Sequence, residues 1–195
     1  MLGAMTTIGA RVALEEAVAE LPRALREHVL RVVEEARRLA PRYGIDEERA
    51  VVAALGHDLE RAERPAELLR QAEAAGLTLA DAERSAPILL HGALSARMMA
   101  ERFDVADEEV LAAARYHTTG RAGMGALERL IFVVDKIEPG KLRGEPVLAE
   151  ARRLADESLE AAMRCLLDLH ISRAVAQGWP LHPNTVAARN ELLVG

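Results

Sequence analysis

The chain has 195 residues, a length that suits one domain with a sizeable core and leaves little for a second. Half of it is hydrophobic yet only 3% is aromatic, so the core is expected to be Ala, Leu and Val, which with Glu and Arg between them favours helix almost everywhere. A net charge of −6 with no compensating basic face excludes a nucleic-acid backbone as the main partner. The single Cys165 excludes a disulfide framework within one chain, fits a reducing compartment, and reads as a buried, inert thiol. No run is long enough to span a bilayer, and Met1 to Ala10 lacks the basic start and long apolar stretch of a signal peptide. A cytoplasmic protein with no membrane partner is therefore expected.

In chain order, Arg11 to Leu21 is a short amphipathic helix, and Pro22 opens a second helix that runs to Leu39 and stops before Pro41. Leu25, Val29, Val32, Val33 and Ala36 form its apolar stripe, with His28 beside that stripe. Asp46 caps a third helix, whose apolar body Val51 to Leu55 delivers His57 and Asp58 near its end. Pro65 restarts a helix to about Ala75, closed by Gly76, and Thr78 to Arg84 reads as loop or a helical turn. Pro87 opens Ile88 to Phe103, with His91 in its early part. Glu108 to Tyr116 follows and ends at His117, and a glycine-bearing loop leads from Thr118 to Gly125. Ala126 to Ile137 is an apolar helix containing Asp135. Glu145 to Gln177 is expected as one long helix, and Asn184 or Thr185 caps a last short one, Val186 to Leu193. The fold class is all-α, one domain over residues 1–195, with a core of about 22–140 and C-terminal helices at about 145–195.

Six residues are candidate ligands: His28, His57, Asp58, His91, His117 and Asp135. Apart from the adjacent pair, each belongs to a different helix, which is how helical bundles assemble metal centres. Imidazole with carboxylate suits zinc, iron or manganese. His57 and Asp58 point about 100° apart on a helix and share an ion only if the helix passes beside it. Asp135 follows Leu130 to Val134, where an unpaired carboxylate would be costly to bury. A metal removes that cost, and so does a salt bridge to Arg121 or Arg129. His28 alone reads as a surface residue of its helix. His170 reads as helix surface, and His182 stands in the break before the last helix.

The ordered set His28, His57-Asp58, His91, His117 and Asp135 resembles the HD-domain metal-dependent phosphohydrolases. More narrowly, Leu90-His91-Gly92, His117-Thr118-Thr119-Gly120-Arg121, Asp135-Lys136-Ile137-Glu138-Pro139-Gly140 and His182-Pro183-Asn184-Thr185 resemble the YqeK branch, from about His28 to Leu193. The resemblance implies symmetrical cleavage of diadenosine tetraphosphate to two ADP. It implies iron, with manganese or another divalent transition metal as the alternative, held by His28, His57, Asp58 and Asp135. His91 and His117 would then contact phosphate or bind a second ion, so that Asp58, Arg61, His91 and His117 form the catalytic set. Thr118, Arg121, Lys141, His182, Asn184 and Thr185 would bind substrate. Three positions depart from the family pattern: Arg61 and Lys141 exchange the expected lysine and arginine, and Lys136 replaces an aromatic residue. Other readings of the same residues are a mononucleotide phosphatase of the same superfamily, or a helical module that binds a nucleotide without turnover. The expected partner is a small nucleotide or dinucleotide, with a homodimer left open.

Overall fold

The computed structural model describes residues 7–194, and Met1 to Thr6, the first part of the stretch weighed as a leader, lie outside them. Among the described residues there are helices and no strands, in line with a chain poor in β-branched alternation. In order these are α1 (Thr7–Ala19), α2 (Arg23–Leu39), a 3₁₀ turn (Ala40–Tyr43), α3 (Glu47–Gly56), α4 (Pro65–Ala74) and α5 (Asp81–Ser85). A second 3₁₀ turn (Pro87–Leu90) then leads into α6 (His91–Phe103), α7 (Glu108–Tyr116), α8 (Ala126–Ile137), α9 (Pro146–Ala155), α10 (Leu159–Gln177) and α11 (Pro183–Val194). No helix is long and apolar enough to cross a membrane.

Two helices form the centre. Residues 50–56 of α3 are buried without a break, as are residues 130–135 of α8, so both are apolar on every side and must be covered all round. The cover comes from α2, α7 and α1 on α3, and from α7, α10 and α2 on α8. Because α2 turns its stripe inward, His28 is carried into the core with Val29, Val32 and Val33 and is 9% exposed; it is not the surface residue its sequence context suggests. The caps follow the expected chemistry. The Asp46 carboxylate accepts from the Arg49 amide at 2.9 Å, and Asp107 accepts from Glu109 and Val110 at the start of α7.

Several expectations need correction. The stretch Glu145 to Gln177 is two helices, because Asp156 and Glu157 form a turn and the Ser158 hydroxyl accepts from the Ala161 amide to start α10 afresh. That break lets α9 fold back against α10 and bury Leu148, Ala151 and Ala155. The last helix begins at Pro183, so neither Asn184 nor Thr185 caps it. The imidazole of His182 does so, its Nδ1 accepting from the Asn184 amide at 3.1 Å. Within Thr78 to Arg84 the helical alternative holds, since α5 starts at Asp81. Cys165 is half-buried rather than buried.

Candidate metal centre

Three of the histidines are set by one local device. His57 and His117 each stand just past the last turn of a helix, where backbone carbonyls lack helical partners. The Nδ1–H of His57 donates to the Ala54 carbonyl at 2.6 Å, and that of His117 to Ala114 at 2.7 Å. His91 does the same to Ile88, whose carbonyl belongs to the 3₁₀ turn before α6. A carbonyl only accepts, so each of these bonds requires the proton on Nδ1 and leaves Nε2 as a bare lone pair. All three Nε2 atoms face one small volume. His28 enters it from α2, Asp58 from the end of α3, and Asp135 from α8.

Two glycines make the convergence sterically possible. A Cβ on Gly56 would lie 2.3 Å from the Met99 sulfur, and one on Gly92 would lie 2.8 Å from the Arg115 carbonyl. The second contact is with backbone, which cannot yield, so Gly92 is what lets α6 and α7 approach and bring His91 to His117.

Asp58 divides the centre into two halves. Its Oδ2 lies 3.5 Å from His28 Nε2 and 3.6 Å from His57 Nε2. Its Oδ1 lies 3.0 Å from His91 Nε2 and 3.4 Å from His117 Nε2. Asp135 Oδ1 adds to the first half, 3.1 Å from His28 Nε2 and 3.8 Å from His57 Nε2. The groups His28, His57, Asp58 and Asp58, His91, His117 each place their ligand atoms within 4.8 Å of one another. The Nε2 atoms of His91 and His117 are 3.0 Å apart, closer than two lone pairs settle without a cation or proton between them. Nε2 of His57 and Oδ1 of Asp58 are buried with no hydrogen-bond partner. Apart from the Thr118 hydroxyl and the lysines on Asp135, acceptors here turn on acceptors, the arrangement a divalent cation satisfies, so the residues present fit a metal.

Electrostatics agree. Burial pushes His57 down to about 4 and lowers His117, so both imidazoles are neutral at physiological pH. Burial alone would raise Asp58 and Asp135. Against it, the ammonium groups of Lys141 and Lys136 hold Asp135 well below the usual carboxylate range. Neutral imidazoles with ionised carboxylates are the protonation state metal binding requires.

An outer layer fixes the first half. Glu138 Oε1 lies 3.2 Å from His28 Nδ1, while its Oε2 accepts from Arg31 Nε at 2.5 Å and from the Gly140 amide at 2.6 Å. This is the carboxylate–histidine arrangement that orients metal ligands. Glu138 is a functional residue the sequence reading missed, although it stands in the quoted Asp135-to-Gly140 motif, three residues past Asp135. Lys141 Nζ reaches Asp135 Oδ1 at 2.7 Å, and Lys136 Nζ lies 3.3 Å from Oδ2 while donating to the His117 carbonyl at 2.6 Å. The salt-bridge alternative for Asp135 thus has other partners than expected: Arg121 pairs with Glu128, and Arg129 with Glu160.

The remaining candidates are scattered around the centre. Thr118 Oγ1 sits 2.9 Å from His117 Nε2 and 3.3 Å from His91 Nε2. Arg121 lies over the Tyr116 ring, 4.7 Å from its centroid, with its guanidinium on Glu128. Arg61 is exposed and has no ion pair among the described residues. Thr185 is buried, its hydroxyl donating to the Thr119 carbonyl at 2.8 Å, which ties α11 to the loop after His117. His182 and Asn184 line a cavity of about 420 Å³ together with Thr119. His170 is exposed on α10, as expected.

Comparison with known proteins places this geometry in context. The family model of the HD domain matches residues 25–161. The symmetrical bis(5'-nucleosyl)-tetraphosphatase of Bacillus subtilis (strain 168) is 35% identical over 185 residues, 93% of this chain and 98% of the relative. The protein of the same name from Halalkalibacterium halodurans is 34% identical over 168 residues, 86% of this chain and 88% of the relative. Among solved structures, a predicted HD superfamily hydrolase involved in NAD metabolism from Clostridium acetobutylicum superposes with a TM-score of 0.88 at 33% identity, covering 93% of this chain and 96% of that one.

Proposed function

The chain belongs to the HD-domain family, and from that premise we propose that it is a metal-dependent phosphohydrolase that cleaves diadenosine tetraphosphate symmetrically to two ADP. The observation that carries the reading is the division of Asp58, one oxygen toward His28 and His57 and the other toward His91 and His117. A carboxylate shared in this way suits two cations held side by side. His28, His57, Asp58 and Asp135 would hold the first, and Asp58, His91 and His117 the second. Iron is the proposed metal, as the family resemblance implies; imidazole and carboxylate with no thiolate suit it, as they suit manganese or zinc. When bound, such ions lower the pKa of water toward about 7 and neutralise phosphoryl oxygens.

The protein's own residues do the rest. Asp58 helps to orient the attacking water in line with the central phosphoanhydride; as the new oxygen–phosphorus bond forms on one central phosphorus, the bridging oxygen leaves with the other ADP and the water's proton passes to solvent. Glu138 and Arg31 hold the His28 ring, and Lys136 and Lys141 keep Asp135 ionised and in place. Thr118 offers its hydroxyl beside His91 and His117, where a phosphate oxygen can accept it. Arg61, exposed just past the ligand pair and without an ion pair among the described residues, is a cation free to meet the phosphate chain. Arg121 acts by fixing Tyr116 and Glu128 at the base of the loop.

Elemental analysis of the purified protein together with chromatography of the products tests the proposal. The expected result is about two metal ions per chain, by the two-site count, and ADP as the sole nucleotide product. One ion per chain would leave His91 and His117 as phosphate contacts. ATP with AMP as products, or turnover of mononucleotides alone, would replace the proposal with a different hydrolase. His57→Ala should lose both metal and turnover, and full retention of either refutes the assignment.

A further inference from the structure

Asp58, which faces both groups of imidazoles, lies in the turn that leaves α3, where the Arg61 amide donates back to the Asp58 carbonyl at 3.0 Å. Glu60, in the same turn, is tied to a different element. Its amide donates to Ser95 Oγ on α6 at 3.0 Å, and both residues are buried. Ser95 stands four residues after His91, so the two side chains share one face of α6. Met99, a further turn along, continues that face and packs where Gly56, the last residue of α3, leaves room for it. His91, Ser95 and Met99 thus meet Asp58, Glu60 and Gly56 as successive contacts along one face. Packing alone does not ask for a serine here. Inside a helix it is a weaker former than alanine, and a buried hydroxyl is costly unless it is bonded. Its chain neighbours Leu94 and Ala96 are apolar and buried, so the bond to the Glu60 amide is what the hydroxyl serves.

We propose that Ser95 is a positioning residue for the second half of the centre. By fastening the turn of Asp58 to α6, it sets the 3.0 Å separation of Asp58 Oδ1 from His91 Nε2, and with it the affinity of the Asp58, His91 and His117 group for a cation. This role rests on the two-cation reading above. Ser95 bonds to none of the six ligand side chains and, fully buried, is out of reach of substrate. The selectivity follows from how the other ligands are held. In the first half His28 is backed by Glu138, His57 by the Ala54 carbonyl, and Asp135 by Lys136 and Lys141. Three ligands there keep their supports when the turn loosens. The second half has two imidazoles and Asp58 alone, so a displaced carboxylate falls mainly on it.

The test is calorimetric titration of the metal-free full chain with manganese(II), which counts ions and needs no turnover. Ser95→Ala is expected to weaken the second ion about tenfold and leave the first within about twofold. Ser95→Thr, which keeps the hydroxyl, should restore the second ion. Ser95→Cys, similar in shape with a poorer acceptor, should fall between serine and alanine. In the metal-free protein, deuterium exchange at the Glu60 amide should speed up in Ser95→Ala and slow again in Ser95→Thr. A merely structural serine would lower stability and leave the difference between the two ions unmoved. Equal weakening of both ions, a second ion unaffected by Ser95→Ala, or a threonine variant as weak as the alanine one overturns the proposal while the two-cation reading stands. A wild-type chain that saturates at one manganese refutes that reading and the role of Ser95 with it. Two ions with selective loss of the second, and no cleavage of diadenosine tetraphosphate, would refute the activity and keep the role.

Discussion

The two halves of the metal centre are built on different principles. The half around His28 and His57 is supported by charge: Asp135 is gripped by Lys136 and Lys141, and His28 is backed by Glu138, itself held by Arg31. Among the described residues the half around His91 and His117 has no ion pair to its rings beyond Asp58, and Lys136 reaches the His117 carbonyl and not its ring. Its imidazoles hang from backbone carbonyls and their Nε2 atoms meet at 3.0 Å. The first half is therefore preorganised by its own salt bridges, while the second is held by helix ends with its lone pairs turned on one another. Asp58 joins them and belongs to both.

Removing the shared residue is the strongest way to break this contrast. Asp58→Ala should empty both halves and reduce turnover about 10³-fold, read by metal analysis and steady-state rates. A variant that keeps one tightly bound ion would show that the halves are independent and Asp58 is no bridge. A smaller effect is expected from the outer layer. Glu138→Gln should lower metal affinity about 10–100-fold in the first half only, measured by competition with a chelator. Equal loss from both halves would remove the distinction between charge-supported and backbone-supported ligands.

Acid sharpens the comparison with the least disturbance. For a histidine whose pKa is lowered on folding, the unfolded chain takes up the proton first. Its contribution to stability is complete above the unfolded value near 6.5 and is lost as pH falls toward the folded value, about 4 for His57. The metal-free protein should lose roughly 1.4 kcal/mol per pH unit for His57 across that window, read from denaturant titrations at several pH values, and His117 adds in the same direction. His57 and His117 both shift in this direction, so stability that stays flat from pH 6.5 to 4 would contradict their burial as neutral rings.

Much of this was legible in the sequence because helix and metal chemistry leave local marks. The composition required helices, and the order His28, His57-Asp58, His91, His117, Asp135 put a ligand on each of several elements. The break at Ser158 was not legible, because α-helix propensity runs unbroken through Asp156 and Glu157 and only antiparallel packing of α9 on α10 decides that a turn forms there. His28 looked like a surface residue because the rotation of α2 about its axis is set by what it packs on. Lys141, expected at the substrate, lies on Asp135, since a buried carboxylate takes the nearest cation.

The sequence by itself determined the all-helical class, since composition and periodicity carry it directly, and singled out six candidate ligands, with His28 and Asp135 drawn in by the family resemblance. Tertiary structure alone decided that Asp58 faces two pairs of imidazoles, that Gly92 permits the His91–His117 approach, and that Glu138 backs His28. Those are distances between residues far apart in the chain, fixed by how helices cross and by which buried polar atoms are left without partners. Local sequence encodes neither.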